Sequence, residues 1–267
     1  MDFVQAAILG VAQGVAEWIP ISSEGITVLL GAVFFRGVTI TELVHFSLFL
    51  HLGTFLAALV YFYKDVWELL RGTLFYRRAD KATKKLINFY ITTTVVSGVV
   101  GMLVLRAMRG LEDWISPTTR GVLVVLGGML LITGVVQLRR RTNGERTAAD
   151  VGLTDGIVAG IAQGISVIPG ISRSGMTVAT LLLRGVDDKP SLKLSFIMSL
   201  PVVLAGNVVL NTSEFVLTIQ SLVSLVLAFI FGLLVIRYLL KAAERLRFGW
   251  FMLLFGGLVI ASAFLTG

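Results

Sequence analysis

The chain contains one sequence pattern twice, separated by 150 residues. Residues 10–28 align with residues 160–178 without a gap. The identities that recur are Ala12-Gln13-Gly14 with Ala162-Gln163-Gly164, Ile21-Ser22 with Ile171-Ser172, Gly25 with Gly175, and Thr27-Val28 with Thr177-Val178. A match this dense at one fixed offset indicates an internal duplication. We therefore expect two related halves.

The two copies differ in their charged and hydroxyl residues. The unlike pairs are Glu17 with Val167, Ser23 with Arg173, and Glu24 with Ser174. One copy thus carries carboxylates and the other carries a cation. Membrane proteins built from two such halves bind their ligands where the repeats meet.

Composition places the chain in a membrane. Hydrophobic residues make up 56% of the 267 residues, charged residues only 15%, and the mean hydropathy is +0.89. These values lie outside the range of soluble domains. The net charge of +7 comes largely from Lys and Arg in loops between apolar stretches, a distribution that favours membrane orientation over nucleic-acid binding. The absence of cysteine excludes disulfides and thiol chemistry.

The apolar stretches predict an all-α integral membrane fold of two inverted-topology repeats, each a re-entrant helix pair plus three transmembrane helices. The re-entrant pairs are inferred because their apolar pieces fall short of the roughly 20 residues that span a bilayer. The first repeat, 1–150, has a re-entrant pair at 3–35 and spans at 46–63, 86–105 and 121–138; the second, 151–267, has a pair at 155–183 and spans at 194–210, 215–236 and 250–265.

The basic residues give the orientation. The basic loop at 64–85 and the arginines at 139–141 are expected inside the cell. Span 46–63 then runs from outside to inside, whereas span 194–210 runs the opposite way. Three spans is an odd number, so the second copy must be inverted. The two re-entrant tips are then expected to meet at mid-membrane.

The tip of the second pair has the chemistry of a phosphate site. Arg173 lies among hydroxyls, glycines and a proline, and an arginine at bilayer depth is tolerated mainly where it faces a cavity, a partner or an anion. The predicted phosphate-binding residues are Arg173 with Ser22, Ser23, Ser172, Ser174 and Thr177. For the recurring Ser22/Ser172 and Thr27/Thr177 pairs, capping of the following helix explains the residue equally well.

Gln13 and Glu17 are four residues apart, on one face of the first helix. Their oxygens suit a hard cation such as Mg²⁺ or Ca²⁺. The alternative is a structural role, with Glu17 as the ion-pair partner of Arg173 and Gln13, which recurs as Gln163, as a brace for the hairpin. For Glu17 we favour a functional role because an intramembrane carboxylate is costly.

The two histidines, His45 and His51, lie outside the re-entrant tips. We interpret both as interfacial or packing residues. Either could carry a proton if its helix lined the cavity.

The motifs in both tips resemble those of the bacitracin-resistance, undecaprenyl-diphosphate phosphatase family, nearly end to end. Gln13-x-x-x-Glu17 followed by Pro20-Ile21-Ser22-Ser23 is similar to one family motif, and Pro169-Gly170-Ile171-Ser172-Arg173-Ser174-Gly175-Met176-Thr177 to another. The resemblance implies a plasma-membrane enzyme that removes the terminal phosphate of a polyprenyl diphosphate and so recycles the lipid carrier of cell-envelope glycan synthesis. By the same resemblance, Glu17 with Gln13 would hold the divalent cation, Arg173 would clamp the diphosphate, and the hydroxyls would line the pocket.

The chain departs from the family pattern at three positions. Where the family commonly has a histidine after Ser-Ser-x-Gly, this chain has Ile26; Glu24 replaces a small hydroxyl residue, and Gln13 replaces the first acidic residue. Without that histidine, either Glu17 or Glu24 takes the proton in catalysis, or the chain is a weak catalyst. The expected catalytic residues are Glu17, Ser23, Glu24 and Arg173.

A second function from another class remains open. Inverted repeats with broken helices are also the architecture of transporters, so the same pocket could flip a polyprenyl phosphate or carry another anion. The expected partners are a polyprenyl diphosphate lipid and the bilayer, without nucleic acid, and a homodimer is left open beside the monomer.

Overall fold

A computed structural model describes residues 1–19, 22–35, 38–112, 146–168, 171–210, 217–242 and 248–265, together with single positions between 121 and 138. The helices are α1 Phe3–Ala16, α2 Ser23–Phe34, α3 Ile40–Tyr61, α4 Tyr63–Leu74, α5 Lys81–Glu112, α6 Leu153–Ile165, α7 Arg173–Leu183, α8 Asp188–Leu210, α9 Ile219–Ala242 and α10 Phe248–Leu265. Short 3₁₀ turns occur at Tyr76–Arg78 and Ala148–Asp150. No β-strand is found among these residues, only an isolated bridge between Arg146 and Val186.

Four of the described helices are long and apolar enough to cross a membrane. These segments are Glu42–Tyr61, Lys81–Met108, Asp188–Val208 and Ile219–Lys241. The prediction of an all-α integral membrane protein is therefore confirmed. The apolar helices α1 and α6 are shorter.

Parts of the predicted arrangement lie outside the described residues. Pro20, Pro169 and the loop at 211–216 are not described, nor are the arginines at 139–141. Of the predicted span 121–138 only single positions are described, and these are helical.

The predicted basic loop at 64–85 is mostly helical. Helix α4 occupies its first half and α5 begins at Lys81, five residues before the predicted span. Along α4, the side chains of Tyr63, Trp67, Leu70 and Leu74 are exposed on one face. A helix with one apolar face and charged residues elsewhere is typical of a membrane interface. The prediction of a loop was wrong because the basic composition hid this helical period.

The first helix of each half packs on a long helix of the other half. Helix α1 packs along α9, and α6 packs along α5. The hydroxyl of Ser224 donates to the Ala6 carbonyl oxygen at 2.7 Å, and the hydroxyl of Thr93 donates to the Gly156 carbonyl oxygen at 3.3 Å. Ala6 and Gly156 are separated by the repeat offset, so equivalent positions of the two copies make equivalent contacts.

Recurring glycines allow this close packing. A Cβ added at Gly10 would lie 2.8 Å from Cα of Ser224, and one added at Gly160 would lie 2.8 Å from Cβ of Val96. Real side chains do not approach this closely, so glycine at these positions lets the helices touch.

A pair of arginines anchors the start of α6. The Asp155 carboxylate accepts hydrogen bonds from Arg146 Nη2 at 2.7 Å and from Arg184 Nε at 2.8 Å. Burial opposes ionisation of this carboxyl group, but the hydrogen bonds from the two guanidinium groups outweigh it and lower the pKa of Asp155 to about 2. The link fixes α6 to the end of α7, and so holds together the two helices that frame the second tip.

We expect Gly10→Ala and Gly160→Ala to destabilise the protein by about 1–3 kcal/mol, because the added methyl group overpacks the contact between the halves. Gly98→Ala is the matched control. Gly98 is also helical, and an added Cβ there meets no heavy atom of the described residues within 4 Å. Thermal unfolding in detergent measures the difference; equal midpoints for all three variants would contradict the packing.

Candidate active site

The site is built around Glu17, the residue that ends α1. Its backbone N–H donates to the Gln13 carbonyl oxygen at 3.0 Å, and the residue is 5% exposed. The neighbouring Trp18 is buried and packs edge-to-face on Phe196, with ring centroids 4.9 Å apart. This aromatic contact holds the end of α1, and with it Glu17, against α8 of the other half.

Arg173 reaches Glu17 from the other copy. It is the first residue of α7, and its Nη2 forms an ion pair with Glu17 Oε1. Both side chains are largely buried. The second guanidinium nitrogen, Nη1, is buried and has no hydrogen-bond partner among the described residues. A buried donor without a partner is costly, so Nη1 indicates a place for an anionic ligand.

The serines divide into two groups. Ser22 and Ser172 cap helices: Ser22 Oγ accepts from the Gly25 amide at 3.2 Å, and Ser172 Oγ from the Gly175 amide at 3.1 Å. Capping therefore accounts for this recurring pair. Ser22 also has a φ of 64°, a backbone conformation that non-glycine residues rarely adopt and that concentrates at functional sites.

Ser23 and Ser174 contact Glu17. Ser23 Oγ donates to the Glu17 carboxylate at 2.7 Å, and Ser174 Oγ donates to the Glu17 carbonyl oxygen at 3.4 Å. A hydroxyl that donates to a carboxylate has the geometry of a nucleophile beside its base.

One polar cavity joins the two tips. It is lined by Glu17, Ser22, Ser23, Glu24, His51, Ser166, Ile171, Ser172, Arg173 and Ser174. The N-termini of α2 and α7 both face it through Ser23 and Arg173. Helix N-termini carry partial positive charge and unpaired amides, so two of them at one cavity favour an anion.

Two of the predicted site residues do not line the cavity. The Thr177 hydroxyl is occupied by the Arg173 carbonyl oxygen at 2.9 Å and by Ser195 Oγ at 2.6 Å. Gln13 lies behind Glu17, with Nε2 donating to the carboxylate at 3.0 Å. Its amide oxygen is buried and has no hydrogen-bond partner in the described part of the chain.

The sequence interpretation placed His51 outside the site, and this was wrong. His51 lines the cavity from α3, and its Nε2 lies 3.2 Å from Glu17 Oε2. The available signal was the repeat itself: at the same offset His51 pairs with Pro201, an unlike pair of the kind that marks Glu17 and Arg173. Ser166 and Ile171 were missed as well.

Comparison with known proteins agrees with the motifs. The family described as "Bacitracin resistance protein BacA" matches residues 6–259. The chain is 40% identical to an undecaprenyl-diphosphatase of Methanococcoides burtonii, over 99% of this chain and 100% of that protein. It is 35% identical to an undecaprenyl-diphosphatase of Haloarcula marismortui, over 98% and 97%, and 31% identical to undecaprenyl-diphosphatase 2 of Halalkalibacterium halodurans, over 94% and 91%.

Ser172→Ala should lower the unfolding free energy by about 1 kcal/mol, because the Gly175 amide loses its capping oxygen. Ser172→Asn is the matched control, since asparagine caps helices as well as serine does. The comparison is made by thermal unfolding in detergent. If both variants lost the same stability, the hydroxyl of Ser172 would have a role other than capping.

Proposed function

The chain belongs to the bacitracin resistance protein BacA family, and we propose on that basis that it is a membrane diphosphatase. Its substrate is an undecaprenyl-type polyprenyl diphosphate, and its products are the polyprenyl monophosphate and inorganic phosphate. The observation that carries the proposal is Arg173, which lines the same cavity as Ser23 and Glu17 and whose Nη1 is buried without a hydrogen-bond partner among the described residues. We place the protein in the plasma membrane, as a monomer or a homodimer.

Arg173 and the two helix N-termini bind the diphosphate. A guanidinium group matches the geometry of phosphate oxygens and stays charged. Because Arg173 pairs with Glu17 through Nη2 alone, Nη1 is available to the phosphate. The N-terminal dipoles of α2 and α7 add positive potential that needs no reorganisation when charge develops on the phosphoryl group.

Ser23 and Glu17 perform the transfer. Ser23 Oγ, whose proton already points to the Glu17 carboxylate at 2.7 Å, attacks the terminal phosphorus while Glu17 takes that proton. The bond from phosphorus to the bridging oxygen breaks, and the electron pair leaves on the polyprenyl monophosphate. Because the second pKa of a phosphate monoester is about 6, this leaving group needs little protonation. The step therefore does not require the histidine that the family commonly has at the position of Ile26. Water then attacks the phosphorus and gives a proton to Glu24, while the bond to Ser23 Oγ breaks and Glu17 returns its proton to that oxygen.

A divalent cation, Mg²⁺ or Ca²⁺, is part of the proposal. The fit rests on Gln13, whose Nε2 donates to the Glu17 carboxylate and whose buried amide oxygen has no hydrogen-bond partner among the described residues. No cluster of three or more His, Cys, Asp or Glu side chains occurs in the described ranges. Mg²⁺ commonly takes one or two carboxylates and completes its shell with water and substrate phosphate oxygens. Bound at Glu17 and Gln13, the cation would supply charge neutralisation for the diphosphate.

We expect the purified protein to release phosphate from undecaprenyl diphosphate with Mg²⁺ or Ca²⁺. This release should stop when a chelator is added. Arg173→Ala should reduce kcat/KM by about 10²–10³-fold because it removes the donor that stabilises the developing charge. Arg173→Lys keeps the positive charge without the guanidinium fork, and should retain part of the activity. Phosphate release is measured in detergent with folding checked by gel filtration.

Lys193→Ala is the control for a basic residue away from the cavity, since Lys193 pairs with Asp65 at 2.6 Å; its activity should match wild type. Wild-type protein that binds the lipid but releases no more phosphate than Arg173→Ala would contradict the diphosphatase. A liposome flipping assay would then test the transporter alternative.

We propose further that the two halves are inverted in the membrane. Thr39 and Lys189 are separated by the repeat offset and are both exposed, beside the starts of α3 and α8. Because the chain has no cysteine, single cysteines at these positions can be labelled selectively. An impermeant maleimide should label Thr39→Cys in intact cells and Lys189→Cys only after permeabilisation. Labelling of both from one side would contradict the inversion.

A further inference from the structure

His51 comes to the cavity from a different part of the fold than the other site residues. Its Nδ1 lies 2.7 Å from the Ser47 carbonyl oxygen, one turn earlier in α3. Its Nε2 lies 3.2 Å from Glu17 Oε2, and the side chain is 17% exposed. Both ring nitrogens are therefore engaged, and the ring orientation is fixed by its own helix.

The hydrogen bonds of the imidazole ring show that a proton lies between His51 and Glu17. A backbone carbonyl can only accept, so Nδ1 donates to Ser47. Nε2 faces a carboxylate oxygen, and two acceptors without a proton between them would repel. A proton therefore lies between Nε2 and Oε2. Because Glu17 accepts from Ser23 and pairs with Arg173 as a carboxylate, the ring is the donor, and the contact ties the carboxylate to the ring.

The other contacts of the Glu17 carboxylate come from short helices. Gln13 belongs to α1 itself, Ser23 begins α2, and Arg173 begins α7. Among the described side chains that contact this carboxylate, His51 alone belongs to a helix long enough to cross the membrane. That helix is itself held firmly, because Gly53 leaves no room for a Cβ against α9.

We propose that His51 is the positioning residue of this site: it holds the Glu17 carboxylate at one orientation between Ser23 and Arg173. The proposal rests on the diphosphatase function proposed above. Without this contact, the Glu17 carboxylate has partners only on α1 and the two tips, and the loss of a donor at Oε2 favours rotation toward Arg173 and away from Ser23. Outer contacts that orient a reacting group are typically worth 10–100-fold in activity.

The test compares two replacements of similar size. His51→Gln keeps an N–H donor at about the position of Nε2, whereas His51→Leu has no donor. We expect His51→Leu to lower kcat for phosphate release by about 10–100-fold, with KM nearly unchanged because Arg173 still binds the phosphate. His51→Gln should stay close to wild type. The controls are His45→Gln and His45→Leu, which change the other histidine of α3 and should leave kcat unchanged.

A double-variant cycle separates positioning from general stability. If His51 acts through Glu17, adding His51→Leu to Glu17→Gln should cost no further activity, because coupled residues are not additive. Two results would overturn the proposal in a wild-type protein that releases phosphate: a His51→Leu variant as active as wild type, or a His51→Gln variant as impaired as His51→Leu. The first would show that the contact is dispensable, and the second that the imidazole itself is required. A wild type without phosphate release would instead refute the diphosphatase.

Discussion

A carboxylate and a guanidinium group buried within a membrane protein have to be paired. Removing either charge from water costs several kcal/mol, and losing one partner leaves the other charge uncompensated at a cost of about 3–5 kcal/mol. Here the carboxylate, Glu17, comes from one sequence copy and the guanidinium, Arg173, from the other. Neither half can bury its own charge, so the pair requires the two halves to be assembled. Stability and the site therefore depend on the same contact.

The scaffold brings these charges together by ending two helices early. Helices α1 and α6 are too short to span the bilayer, and each is packed on a long helix of the opposite half. The glycines at Gly10 and Gly160 allow that packing, while the buried Trp18 fixes the end of α1. Because α2 and α7 restart after the breaks, their amide N-termini also face the cavity. The polar cavity between the tips is thus a consequence of how the helices are interrupted.

Much of this arrangement could be predicted from the sequence, because the two tips and their residues follow the internal duplication. The recurring Ser22 and Ser172 proved to cap α2 and α7, and Glu17 and Arg173 were found by the positions at which the copies differ. His51 was missed because the motif comparison stopped at the tips, and a lone histidine in an apolar helix does not reveal what it faces. The α4 helix was missed because a basic stretch was taken for a loop.

Gln13 and Gln163 occupy equivalent positions of the two copies, but their amide groups have different hydrogen-bond partners. In the second copy, Gln163 donates to Ser97 Oγ at 3.2 Å and to the Met198 carbonyl oxygen at 3.4 Å, and so braces α6 against its neighbours. Valine occupies the position four residues later, so no carboxylate competes for the amide. In the first copy Glu17 stands at that position, and the Gln13 amide group donates to it. The carboxylate that stands opposite Arg173 therefore also engages the glutamine amide that braces the helix in the other copy, so the two copies differ in chemistry while their packing is kept.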